Sequence, residues 1–142
     1  MNNFRVTLKA RLILYHKGSI LLLKQTSDNG GNFTLVGGTI ERKESAIETI
    51  IRESREEAGI ILRKEDLELA HVLQKVMPGE QRVTLYYRAK RWSGKIKSRE
   101  KDKFEYVEWF NLNQLPPKMT KTVAHVLRQY RHGKRFSVFA DK

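Results

Sequence analysis

Two stretches near the N-terminus read as strands, the first mixing charged residues among apolar ones and the second carrying a continuous apolar run. Residues 8–15 read as one strand, and residues 19–25 as its hairpin partner across Lys17-Gly18. Residues 27–32 (Ser-Asp-Asn-Gly-Gly-Asn) form a loop by composition. A short strand over 33–36 ends at Gly37-Gly38. The apolar spacing then changes to that of a helix. Ile47, Ile51, Ser54 and Ala58 make one stripe, widened by Ile50, which predicts a helix over 44–58 with that stripe facing the core and Gly59 as its stop. Residues 67–77 and 81–90 read as two long antiparallel strands joined by a type II turn at Pro78-Gly79. Ser93-Gly94 marks another turn, and residues 104–110 a further strand. Pro116-Pro117 punctuates the chain before a last helix over 120–131, with Val123, Val126, Leu127 and Tyr130 on one face. The strands follow one another too closely for a doubly wound fold.

The 142 residues correspond to about one domain. The longest aliphatic run, Ile20-Leu21-Leu22-Leu23, falls far short of the ~20 residues of a membrane span. Residues 1–14 place Arg5, Lys9 and Arg11 among apolar positions, so no signal-peptide core is expected. With no cysteine, disulfides, thiol nucleophiles and thiolate zinc sites are excluded. These features predict a soluble, cytoplasmic protein. The net charge is +12, a balance suited to polyanionic partners such as nucleotides or RNA. Against that background, half of the 16 carboxylates fall between Glu41 and Asp66. An acidic island in a basic chain is a place where a metal ion can meet an anionic ligand.

Within that island Glu53, Glu56 and Glu57 are spaced i, i+3, i+4, so a helix presents all three on one side. Clustered carboxylates repel one another unless a divalent cation sits among them. Magnesium favours hard oxygen ligands and is commonly completed by substrate phosphates. Arg52, four residues from both Glu48 and Glu56, can brace this face. Taken alone, E-x-x-E-E more often marks a solvated helix face.

The wider spacing changes that balance. Gly38, Glu44, Arg52, Glu53, Glu56, Glu57 and Gly59 fit G-x5-E-x7-R-E-U-x-E-E-x-G-U, where U is aliphatic and Ile60 supplies the last U. The chain thereby resembles the Nudix hydrolases. Seven strict positions match by chance on the order of 10⁻⁸ times per starting point at average residue usage. Ser54 departs at the first U, on the predicted core stripe. Phe33 stands where relatives often carry Trp, and Val36 where Pro often precedes the two glycines. Trp109-Phe110 with Leu115-Pro116 is similar to the family's downstream strand and turn, and residues 99–103 are similar to an acidic loop of members acting on nucleoside triphosphates.

The resemblance implies one Nudix domain over 1–142 with an α/β/α sandwich, a mixed sheet between helices. It implies hydrolysis of a nucleoside diphosphate linked to another moiety, with nucleoside triphosphates first among substrates. Glu53, Glu56 and Glu57 are then Mg2+ ligands, with Mn2+ as a substitute, joined by the carbonyl of Gly37 or Gly38. Glu44 and Arg52 orient loop and helix as an ion pair. The general base is Glu53 or Glu100. Glu105 and Glu108 are expected to be solvated strand positions. His16, His71, His125 and His132 lack metal-ligand spacing, and Asn29-Gly30-Gly31 lacks the ending of a phosphate-binding loop. Tyr86, Tyr87 and Trp92 fit core or cross-strand positions better than a base-stacking surface. Arg128, Arg131, Lys134 and Arg135, with Tyr130 and Phe136, leave RNA open as a partner, although a solvated helix end explains them more simply. Two rivals stand beside nucleotide hydrolysis: removal of pyrophosphate from RNA 5′ ends, and a non-catalytic nucleotide-binding module.

Overall fold

Leu12, Ile13, Leu14 and the aliphatic run of residues 20–23 are all buried, and the reason lies in how two layers of helix enclose the strands. The computed structural model describes residues 3–140. The strands are β1 (Arg5–Ile13), β2 (Tyr15–His16), β3 (Ser19–Gln25), β4 (Phe33–Thr34), β5 (Gly37–Thr39), β6 (Leu67–Met77), β7 (Glu80–Ala89), β8 (Phe104–Asn111) and β9 (Phe136–Ala140). The helices are α1 (Ala46–Ala58) and α2 (Lys121–Arg131). Five strands form a mixed sheet in the order β5-β1-β7-β6-β9, with β1–β7 and β6–β9 parallel. A second sheet has β3 at its centre, paired with β2, β4 and β8.

Alternate residues of β1 and β3 enter two separate cores. Ala10, Leu12, Leu21 and Leu23 pack with Ile50 and Ala58 of α1. Ile13, Ile20 and Leu22 pack with Val123, Val126 and Leu127 of α2. Strands covered on both faces read as continuous apolar runs, which explains Ile20-Leu21-Leu22-Leu23. The expected α/β architecture, a mixed sheet between helices, is therefore present.

Several boundaries differ from the sequence reading. The helix begins at Ala46, because Ser45 caps it: the Ser45 hydroxyl accepts from Glu48 N, and Glu48 accepts from Ser45 N. Glu44 thus precedes the helix. Glu48 is occupied by this cap, and Arg52 turns to other acids. Gly59 ends α1 at φ 69°, ψ 19°, a left-handed conformation that glycine adopts without strain. The buried stripe of α1 runs through Ile50, Ser54 and Ala58, while Ile47 and Ile51 are half-buried. Ser54 fits that stripe, with its Oγ lacking a hydrogen-bond partner. Gly37-Gly38 does not close a strand but begins β5, which pairs antiparallel with β1.

The basic run after α2 leads into β9, a strand the sequence reading did not anticipate. It pairs with the edge of β6 from Val72↔Phe136 to Val76↔Ala140. The fold also brings two of the dispersed histidines to one hydroxyl. Ser137 Oγ lies 2.8 Å from His71 Nε2 and 3.0 Å from His125 Nε2, and His71 Nδ1 lies 2.8 Å from the Lys134 carbonyl. These contacts fasten β9 to β6 and α2. No helix among the described residues is long and apolar enough to cross a membrane.

Candidate active site

The acidic face is built around one arginine. Arg52 Nε donates to Glu44 Oε2 at 2.6 Å and Nη2 to Glu44 Oε1 at 3.0 Å, a bidentate pair. Nη1 donates to Glu53 Oε1 at 3.1 Å and to Glu56 Oε2 at 3.3 Å. Glu41 adds a contact at 3.5 Å that the sequence reading missed. The Arg52 guanidinium holds the Glu44 carboxyl down at about 2, and Glu44 in turn raises Arg52 above its ordinary value. The expected Glu44–Arg52 pair is thus formed across the loop-to-helix junction.

The three helix carboxylates share a side of α1 but differ in environment. Glu56 is exposed, Glu53 half-buried and Glu57 buried. Burial pushes Glu57 up to about 8, opposed by a hydrogen bond from Gly37 N (3.0 Å) and by Arg11, and reinforced by Glu53 and Glu100. Burial raises Glu53 as well; Arg52 counters this, and Glu56 and Glu100 add to it. Gly38 is required by close approach: a Cβ there would stand 1.8 Å from Glu53 Oε2.

Glu100 belongs to a loop stapled to the end of α1. Arg99 N donates to the Glu57 carbonyl (2.9 Å) and Lys97 N to the Ala58 carbonyl (3.1 Å). The loop is closed by bonds from Lys103 N and Phe104 N to the Glu100 carbonyl, at 2.9 and 2.8 Å. Glu100 lies close enough to raise both Glu53 and Glu57, and Lys103 Nζ is 3.7 Å from its carboxylate.

Hard carboxylate oxygens held together against their own repulsion are the donor set of a divalent cation. As the side chains stand, no group of three or more acidic or histidine side chains among the described residues encloses a metal position. Glu53 and Glu56 each rest an oxygen on Arg52, and Glu57 rests one on Gly37 N. The donor types fit such an ion.

A NUDIX-domain family model matches residues 7–130. The chain belongs to the Nudix family. It is 30% identical over 107 residues to the NAD-capped RNA hydrolase NudC of Pseudomonas aeruginosa, covering 75% of this chain and 37% of that one. The chain thus spans little more than a third of the length of the curated relatives it matches. The crystal structure of a MutT NUDIX hydrolase from Burkholderia pseudomallei superposes with a TM-score of 0.78 at 29% identity, over 87% of this chain and 97% of that one. A MutT protein from Bacillus halodurans gives a TM-score of 0.74 at 22% identity, over 94% and 89%, which supports the fold.

On this Nudix frame, Gly38 meets Glu53 on the side of α1 that carries Arg52, Glu56 and Glu57, Glu44 reaches Arg52 from the segment before the helix, and Glu100 adjoins Glu53 and Glu57 from the loop bonded to its C-terminal end. Glu105 and Glu108 are exposed strand positions, as expected. Tyr86 is buried, Tyr87 packs against the α1 core, and Trp92 packs between His16 (5.2 Å) and Trp109 (6.2 Å). A cavity of about 750 Å³ lies around Tyr15, Arg88, Tyr130 and Lys134 and shares no residue with the acidic face. Lys9 and Arg11, absent from the sequence reading of the site, adjoin it: β1 places them opposite Thr39 and Gly37. Their signal was the Lys-x-Arg alternation on a strand, which puts both side chains on one face.

Proposed function

We propose that this Nudix chain is a Mg2+-dependent pyrophosphohydrolase of nucleoside diphosphate derivatives, with nucleoside triphosphates, cleaved to monophosphate and pyrophosphate, as the first substrates to test. The observation that carries this reading is the approach of Glu53 and Glu57 to the glycine strand Gly37–Thr39, with Glu100 near both and Glu56 beside Glu53.

Glu53, Glu56 and Glu57 would hold the ion, together with the carbonyl of Gly37 or Gly38. Such an ion supplies charge neutralisation of the phosphates, a lowered pKa for the attacking water and in-line orientation. The chain's own groups do the rest. Arg52, clamped by Glu44, keeps Glu53 and Glu56 directed away from the core. Glu53 or Glu100 takes the proton of the attacking water. The water oxygen bonds to one phosphorus as the bridging P–O bond breaks, and the second phosphate leaves with the bridging oxygen.

The similarity to NudC, with the +12 charge, supports a second reading in which an RNA 5′ end carries the diphosphate. The complete glutamate set argues against a non-catalytic module. A panel of nucleotides and 5′-capped or triphosphorylated RNA oligomers, assayed for phosphate and pyrophosphate release with Mg2+ and Mn2+, tests these readings. Glu53→Gln should lower turnover by ~10²-fold or more, as removal of one electrostatic group does. Near-wild-type turnover by that variant at saturating Mg2+ would refute the assignment.

A further inference from the structure

The five-stranded sheet has two faces, and α1 covers only part of one. Alternate residues of paired strands fall in rows across that face. Val6, Gln81, Val76 and Ala140 form one row, and Leu8, Val83, Gln74 and Val138 the next. Ala10, Leu85, Val72 and Phe136 form the third, whose first member is buried under α1. Val6 is 64% exposed, Leu8 50%, Phe136 57% and Val138 50%. Val72, Val76, Val83 and Leu85 are half-buried and belong to neither of the two cores. The residues between them point the opposite way, where Leu73, Thr84, Tyr86 and Ser137 are buried on the α2 side.

No charged residue stands in these three rows, although charged residues make up 31% of the chain. Everything in them is apolar except Gln74 and Gln81. A contiguous apolar patch on a folded surface marks an interaction site. The pairing of the strands points the same way. Parallel pairs ordinarily lie in sheets covered on both faces, and here β1–β7 and β6–β9 are parallel with much of one face open. At ~4.8 Å between strands and ~3.3 Å per residue, the array spans about 19 by 20 Å, or roughly 400 Å². That matches the apolar centre of a standard interface, which buries ~800 Å² per partner once its polar rim is included.

The polar pair selects the occupant. Gln74 and Gln81 lie on β6 and β7, the two middle strands of the array, and Gln74 Nε2 donates to Gln81 Oε1 at 3.1 Å. That bond leaves the Gln74 carbonyl oxygen as an acceptor and the Gln81 amide as a donor for a partner. A two-fold axis exchanges these roles, so each Gln81 amide meets the Gln74 carbonyl oxygen of the other copy. Charge narrows the choice further. Each copy carries +12, and an uncharged face is where two such bodies meet with least repulsion, whereas a charged partner finds no countercharge in the array. We propose that this face binds a second copy of the chain, giving a two-fold dimer in which the two sheets pack face to face. Sheets packed in this way lie ~10 Å apart with their strands within ~30° of alignment. The dimer is independent of the hydrolase reading.

Sedimentation velocity of the full chain over ~1–100 μM tests the proposal. The expected species at the upper end has twice the 16.6 kDa mass of the chain. It should tighten as salt is added, because salt screens the repulsion between like-charged copies and leaves apolar contact intact. Leu8→Lys and Val138→Lys should each give a folded monomer at every concentration. Ile61→Lys, at an aliphatic position 43% exposed outside the array, should leave the dimer unchanged. Should a lysine variant fail to melt as a folded chain, the double variant Val83→Thr with Val138→Thr decides. Threonine matches valine in shape and suits strands, and the pair should raise the dimer Kd by about tenfold or more. A wild type that stays monomeric at ~100 μM overturns the proposal. So does a dimer that loosens with salt, or one that survives both lysine variants or the threonine pair at unchanged Kd. Assembly lost in Val138→Lys but kept in Leu8→Lys also overturns it, since the contact then lies at the free edge of β9 and not on the face.

Discussion

Gly38→Ala separates folding from catalysis at a single atom. The added Cβ would stand 1.8 Å from Glu53 Oε2 and 2.9 Å from Glu53 Cδ. Ordinary contact is about 3.5 Å, so the carboxylate must retreat by roughly 1.7 Å. Gly38 does not have a positive φ, so alanine suits its backbone, and the obstructing atoms are the far end of a flexible side chain. The fold should therefore tolerate the change, helped by about 0.4–1 kcal/mol of lost unfolded-state entropy. Catalysis should not, because misplacing a reacting group by about 1 Å costs ~10²-fold. The assay is kcat on the best substrate of the panel beside a thermal melt. We expect kcat to fall by ~10²-fold with Tm nearly unchanged. In a Glu53→Gln background the same alanine should cost no more than about twofold, since the pair acts through one contact. Full activity in Gly38→Ala, or an equal loss without the Glu53 carboxylate, would show that the glycine serves something other than Glu53.

Glu100→Gln should lower kcat by roughly tenfold or more with little change in Tm, because a positioned base contributes ~10²–10⁴-fold while a surface pair with Lys103 contributes ~0–1 kcal/mol of stability; an unchanged kcat would leave Glu53 as the base. Glu44, held at about 2 against an ordinary 4.5, contributes stability that is full above pH 4.5 and lost as pH falls towards 2. Glu44→Gln should therefore flatten the melting temperature across that window, and an unaltered acid slope would argue against the Arg52 clamp. Ser137→Ala would strip the shared hydroxyl from His71 and His125, costing about 1–3 kcal/mol and roughly 3–10 °C of Tm with kcat unchanged.

The acidic face was legible because its chemistry is local. Glu53, Glu56 and Glu57 fall within five residues of one helix, and helical geometry alone brings them together. Sequence spacing did not distinguish their environments: Glu57 is buried because the stripe centres on Ile50 and Ser54, a rotation of α1 set by packing. β9 was hidden for a different reason. Its five residues follow a basic run, and its partner β6 lies more than sixty positions upstream with no hairpin turn between them. β5 was hidden because glycine is depleted in strands, and its composition follows from two close approaches: a Cβ at Gly37 would stand 2.3 Å from the Ala10 carbonyl oxygen, and one at Gly38 1.8 Å from Glu53 Oε2. The cavity lined by Lys9, Arg11, Lys75 and Arg82 draws on β1, β3, β4, β6, β7 and α2, so no spacing within the sequence could announce it.

The two backbone bonds from residues 97 and 99 to the end of α1 have a mechanical consequence. They occupy the Glu57 and Ala58 carbonyls, which a helix end would otherwise leave to water. One anchor is the carbonyl of a candidate ligand, and the residue bonded to it is the immediate neighbour of Glu100. Helix and loop consequently share a frame. When α1 shifts against the sheet, Glu53, Glu57 and Glu100 are carried together, and the displacement cancels from their mutual distances. Tolerance is thereby divided unevenly: the exposed side chains of the loop, Lys97 and Lys101 among them, are free to vary, whereas the alignment of the four carboxylates is governed by main-chain bonds that substitution of those side chains does not reach.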